Sequence, residues 1–178
     1  MRHVGLLVAR VVFGCYLCVH GAQKLFGWFE GAGLDATGAG FEKMGMRPGK
    51  LMGAVAGASE LGGGLLTATG IADPLGPLII AGTMTVASST HRKKGPLAKN
   101  GGFELPLTNL AMAIALMSAG PGALRLGPHL SKSFTRKALL AGTVMAGASL
   151  TQLLLASAKQ EQLAASENVA ATDAAAAS

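Results

Sequence analysis

The sequence predicts an all-α polytopic membrane protein, a bundle of four transmembrane helices followed by a fifth hydrophobic helix near the C-terminus. Three observations predict it. Of 178 residues, 50% are hydrophobic and only 13% charged, where a soluble domain carries about a quarter, and mean hydropathy is +0.44. The charges are also clustered, so that residues 11–19, 51–59, 61–72, 74–90, 105–124 and 138–158 contain no Asp, Glu, Lys or Arg. Finally, residues 75–89 and 105–117 offer almost no polar face at helical spacing, which a soluble Ala/Gly-rich helical protein would need.

The first span runs from Val4 to about Trp28, with Arg10 as an internal charge and Trp28 suited to the interface, where aromatic rings sit at headgroup level. The second, Leu51 to Ile71, would rise about 31 Å at 1.5 Å per residue, matching a hydrocarbon core of about 30 Å. Leu75 to His91 is the third, opened by Pro74 and Pro77, which a first helical turn tolerates because its N–H groups lack helical partners. Phe103 to about Ala119 is the fourth, stopped by Gly120, Pro121 and Gly122. Residues 1–122 thus form a four-helix membrane domain, and residues 123–158 a linker with the fifth helix, Arg136 to Ala158. The last stretch, 159–178, is Ala-rich without an apolar stripe and reads as a disordered tail. Arg2 before an apolar run, with Val12 to Cys15 loosely like a lipoprotein cleavage site, raises a processing signal; Phe13 fits that poorly, and the first helix is expected to stay.

With alternate crossings, the polar residues sort by side. On the face where the first helix ends, here called X, His20 and Lys24 lie near the end of helix one. Glu60 lies about 13 Å into helix two, His91 at the end of helix three and Glu104 at the start of helix four. Four helices therefore aim titratable groups at one half of the bilayer. Glu60 carries the most weight, because an ionisable group at that depth costs about 2.5–3.5 kcal/mol and usually faces protein or water. Gly49, Gly53 and Gly57 give helix two a small-residue face, and Glu60, three residues beyond Gly57, shares it. The plainer reading is a carboxylate that pairs with Lys24 or a hydroxyl for helix packing.

His20 and Lys24 share a face that Tyr16 and Phe13 extend; the plainer reading of His20 is a hydrogen-bonded interfacial residue. His91 opens the basic run HRKKG, an ordinary headgroup-facing loop apart from that histidine. Glu104 before Leu105 and Pro106 suits a helix N-terminus, so a capping role stands beside a chemical one. No pair of these groups has helical metal-ligand spacing, and no metal is expected. Cys15 and Cys18 form CYLC inside helix one. They are a candidate dithiol for exchange with a disulfide or quinone, or apolar filler, since a mid-helix position lacks the helix N-terminus that lowers a thiol pKa.

HGAQKLFGWFEGAG, then FEKMGMRPG, GASELGGGLLTATG, the His91 loop and GGFELPLTNLAMAIALMSAGPG, in order between Val4 and Gly122, resemble the DoxX family of small bacterial and archaeal membrane proteins. The resemblance implies a four-helix membrane domain in the plasma (inner) membrane, with His20, Lys24, Glu60, His91 and Glu104 on recurrent polar positions. It also implies links to sulfur and thiol redox, including a subunit of archaeal thiosulfate:quinone oxidoreductase, and to membrane oxidoreductase complexes in mycobacteria. The chain departs from the pattern after GPG, where ALRLGPHL follows instead of an aromatic and an Asp, and in the helix 136–158. There Gly142 and Ala146 form a small-xxx-small pair suited to a partner or a second copy. Cys15 and Cys18 are not part of the resemblance.

Two functions follow as expectations. One is a redox-linked membrane subunit whose X-side pocket binds a quinone or related small molecule through His20 and Lys24, with Glu60 handling the proton and His91 and Glu104 completing the site. No haem or iron-sulfur ligand set is present in the sequence, so electrons would come from a partner redox enzyme, the ligand itself or the Cys15/Cys18 pair. The other is a non-catalytic scaffold, or a proton or small-solute carrier. Basic residues lie on both faces, seven from Lys43 to Lys99 on X and Arg2, Arg125, Lys132, Arg136 and Lys137 opposite, so they do not fix orientation. The net charge of +6 is assigned to anionic headgroups of the lipid bilayer and not to nucleic acid, because the basic residues flank spans and are not interleaved with aromatics.

Overall fold

The computed structural model describes residues 2–127, 130, 131, 133–137 and separate positions from 140 to 166. Among the described residues all regular structure is helical: α1 (Arg2–Phe26), α2 (Gly33–Lys43), α3 (Gly49–Thr69), α4 (Leu75–His91) and α5 (Glu104–Ala119), with two short 3-10 turns, Arg92–Lys94 and Ala98–Asn100, between α4 and α5. The described positions from 133 to 166 are helical as well. The expected fifth helix and Ala-rich tail fall largely outside the described residues.

The long helices lie within two residues of their expected bounds because the chain supplies clear stops. α3 ends at Gly70, whose left-handed φ of 69° lets its N–H reach the Leu66 carbonyl at 2.9 Å. α4 starts directly after Pro74 and buries Pro77 in its first turn, as a ring without an N–H allows.

The difference is α2, between the first two expected spans, where the sequence alone predicts an X-side connection. Asp35 in its first turn suits the positive end of the helix, but what holds α2 is α3. Gly38 is buried against the backbone of Gly49 and Lys50, and the Glu42 carboxylate accepts the Gly49 N–H at 3.3 Å. Glu42 thereby serves as a cap that Pro48, at the N-cap position of α3, does not provide. Lys50 and Asp35 pair at 2.6 Å in the open. The hydrogen bond from Lys50, and then its charge, hold the Asp35 carboxyl below its usual range, an exposed interaction of small weight.

α3 packs against α1, α2 and α4, and α4 against α5. The core that closes the bundle is Phe13 and Leu17 of α1, Ile80 and Met84 of α4, and Ala113 and Leu116 of α5. The α1–α3 contact is backbone on backbone: Gly14 meets Gly64 and Ala68, and Gly21 meets Gly57 and Leu61. A Cβ added at Gly21 would lie 2.5 Å from the Leu61 nitrogen and 2.6 Å from the Gly57 oxygen, atoms that cannot step aside. Gly21→Ala is therefore expected to destabilise by about 1–3 kcal/mol, read as a lower thermal midpoint in detergent. Gly62→Ala, where a Cβ would meet nothing within 4 Å among the described residues, is the control; equal midpoints for the two variants would contradict the packing.

Among the described residues one helix, His3–Phe26, is long and apolar enough by itself to cross a membrane, while Glu104–Ala119 is apolar but shorter. Length and hydropathy thus single out one span where the segment reading counts four.

Candidate functional site

Tyr16, His20 and Lys24 follow one another at i+4 on α1, which aligns them along one face. The Tyr16 and His20 rings meet edge to face, centroids 4.6 Å apart at 73°. Across the tight α1–α3 contact, Lys24 Nζ donates to Glu60 Oε2 at 2.5 Å. The pair is unequal in burial, with the Lys24 side chain 29% exposed and that of Glu60 8%. The inward direction expected for Glu60 from the glycine face is the one observed: Gly57, one turn earlier, is buried against Leu25 and Lys24.

His20, Lys24, Glu60 and His91 all line one cavity of about 1070 Å³ between α1, α2, α3, α4 and α5, slightly above the usual size of small-molecule sites, about 300–1,000 Å³. Leu75 and His91, the two ends of α4, both border it, so it runs about 24 Å along that helix at 1.5 Å per residue. The rest of its wall is mostly apolar, with four methionines, Met44, Met46, Met52 and Met84, among Leu, Ile, Val and Ala. Arg47 and Asn109 add polar groups that no sequence motif marks, and Ala141 from the C-terminal region also lines the cavity.

His91 is held by its ring. Its Nδ1 lies 2.6 Å from the Gly101 carbonyl oxygen; a carbonyl only accepts, so Nδ1 carries the proton and Nε2 is the nitrogen able to take one up. Glu104 does not line the cavity, although its neighbours Leu105 and Pro106 do. Its carboxylate accepts the Ala98 N–H at 2.8 Å, bracing the loop that carries Gly101. Cys15 is exposed, and Cys18 donates its thiol to the Leu61 carbonyl at 3.4 Å; neither lines the cavity. Among the described residues no cluster of three or more His, Cys, Asp or Glu is arranged to hold a metal ion.

A second polar centre lies toward the opposite face. Arg10, 2% exposed, donates to the carbonyls of Pro121 at 2.5 Å and Leu124 at 2.6 Å, with Asp73 and Arg125 within electrostatic reach. The sequence showed Arg10 as an internal charge, but partners 111 and 114 residues away leave no local signal.

No curated protein and no solved structure matches this chain. The family model named DoxX matches residues 5–92. It takes in His20, Lys24, Glu60 and His91 and stops short of Glu104, whereas the sequence resemblance extends to Gly122. With that match across α1 to α4, the chain belongs to the DoxX family, and it is a small membrane protein in contact with the lipid bilayer.

Proposed function

We propose that this protein is a multi-pass inner-membrane subunit linked to redox chemistry, with α1, α3, α4 and α5 as its four spans and the X-side cavity as the site for a quinone or related small molecule. The observation that carries the reading is the half-buried Lys24–Glu60 pair, with His20 one turn away, on the wall of a large and mostly apolar cavity. Such ionisable groups at membrane depth mark ligand or proton sites by default. α3, at 21 residues, reaches about 31 Å, and α4 and α5 about 24–26 Å, a shortfall that local bilayer thinning accommodates at modest cost. α2 would then lie along the X interface.

A quinone held there would be reduced to its quinol by two electrons and two protons, one proton going to each of its two carbonyl oxygens. Lys24 has three donors and gives one to Glu60, so it can donate to such an oxygen together with His20. Glu60, already hydrogen-bonded to Lys24, is the group that exchanges the accompanying proton, and His91 Nε2 is a second acceptor on the same wall. The two electrons would come from a partner redox enzyme or, less directly, from oxidation of the free Cys15/Cys18 dithiol to a disulfide. A scaffold, or a proton or solute carrier, is the alternative, favoured by the fact that Lys24 and Glu60 already satisfy each other.

Native mass spectrometry of the protein in mild detergent, wild type beside His20→Ala and Glu60→Gln, tests the reading. A small molecule that travels with the wild type and is lost from both variants is expected. An empty wild type, or a ligand indifferent to both changes, would transfer the case to the scaffold.

A further inference from the structure

We propose that the cavity takes a chain-bearing amphiphile with an oxygen head that accepts hydrogen bonds, and that the chain enters from the bilayer through a gap between α3 and α4 whose width is set by Gly82. This rests on the reading of the cavity as a binding site and specifies both its ligand class and its entrance.

The gap follows from how the two helices pack. At the end away from X they touch: a Cβ on Gly76 would lie 2.6 Å from the Thr67 nitrogen, and one on Gly63 would lie 3.1 Å from Ile80 Cγ1. Gly82 lies more than one turn closer to X, and there a Cβ would meet nothing within 4 Å among the described residues. Gly82 and Val55 of α3 both line the cavity, and Val55 is 54% and Ile79 37% exposed. The helices therefore diverge toward X and leave an opening at the depth of the acyl chains. α1 and α3 offer no such route, because glycines hold them together at both Gly14 and Gly21.

The ligand class follows from the gradient of polarity. Toward X the wall carries His20, the Lys24–Glu60 pair and His91; toward the other end it carries Leu75, Leu78 and Ile79. Two α4 hydroxyls on the wall do not blur this gradient, since Thr83 donates to the Ile79 carbonyl at 3.0 Å and Thr90 to the Ala87 carbonyl at 2.9 Å. A wholly polar solute would lose hydration along the apolar half without compensation. A wholly apolar one would leave the donors of His20 and Lys24 unused. An oxygen head at the X end with its chain along α4 satisfies both ends, and a carboxylate on an acyl chain and a quinone on an isoprenoid-like chain share that chemistry.

The test is photolabelling of the full chain in phosphatidylcholine vesicles with hexadecanoic acid carrying a mid-chain diazirine and, in a second arm, with decyl-benzoquinone carrying the same group on its tail. Labelling at residues 75–87 that an excess of the unmodified parent compound suppresses is expected from at least one probe, and the responding arm identifies the head. Gly82→Phe should cut this saturable labelling about tenfold, and Val55→Phe, across the gap and already exposed, should do the same if Gly82→Phe folds poorly. Retained saturable labelling in folded Gly82→Phe and Val55→Phe, alongside its loss in His20→Ala, would leave the pocket standing and overturn the α3–α4 entrance. No saturable labelling from either probe would overturn the ligand class.

Discussion

Replacing Arg10 by Met is expected to destabilise the protein by about 3–6 kcal/mol, through the loss of two hydrogen bonds from a charged, buried donor. The guanidinium is 2% exposed and its two terminal nitrogens hold the Pro121 and Leu124 carbonyls. It thus fastens the segment after α5 to the middle of α1, while the Leu126 N–H fastens the same segment to the Thr69 carbonyl of α3 at 3.0 Å. Hydrogen bonds to a charged group contribute about 1.5–3 kcal/mol each, and their loss leaves buried carbonyls without a donor. Met keeps the length and apolar contacts of the stem, so the loss reports the polar head. Arg10→Lys should fall between, since an ammonium keeps the charge but cannot serve two carbonyls with a rigid fork. Thermal unfolding in detergent, with limited proteolysis across residues 120–127, would register both effects; a Met variant as stable and as protease-resistant as the wild type would remove the clamp from the account.

Arg10 also marks the boundary of what a sequence can reveal. Segments free of charge located the four long helices, and α4 was read at its observed bounds because Pro74 before it and the basic run after it are local signals. The inward direction of Glu60 was legible for the same reason: Gly57 and Glu60 lie one turn apart, and a turn is fixed by helix geometry. α2 was not legible. Its residues, GLDATGAGFEK, hold three glycines and no periodic stripe, and it is held by contacts with the start of α3 that depend on tertiary packing. The cavity was half legible. The polar groups of four helices were expected on face X, and three of those helices bring His20, Lys24, Glu60 and His91 to one wall. The opening proposed between α3 and α4 depends on interhelical angles that no spacing encodes. The same limit applies to Glu104, whose partner is the Ala98 N–H in the preceding loop and not the cavity.

Lys24→Met is the second change with a large expected effect, and its comparison with Glu60→Gln separates structure from function. Removing the ammonium leaves Glu60, with a side chain only 8% exposed, as a buried carboxylate without its partner, a loss of about 3–5 kcal/mol. Glu60→Gln is milder, because the Lys24 side chain is 29% exposed and a long stem lets an ammonium reach the interface. The double variant Lys24→Met/Glu60→Gln should regain part of the stability lost in Lys24→Met, with a coupling within the range of about 0.5–3 kcal/mol found for contacting residues. Additive losses in thermal unfolding would mean that the two groups do not act as a pair. If the pair serves helix packing alone, the rescued double variant should keep whatever small molecule the wild type carries in native mass spectrometry. If it is the polar end of a binding site, the double variant should be stable and empty, because folding needs only that no charge be buried alone, whereas a ligand head needs the donors and the carboxylate themselves.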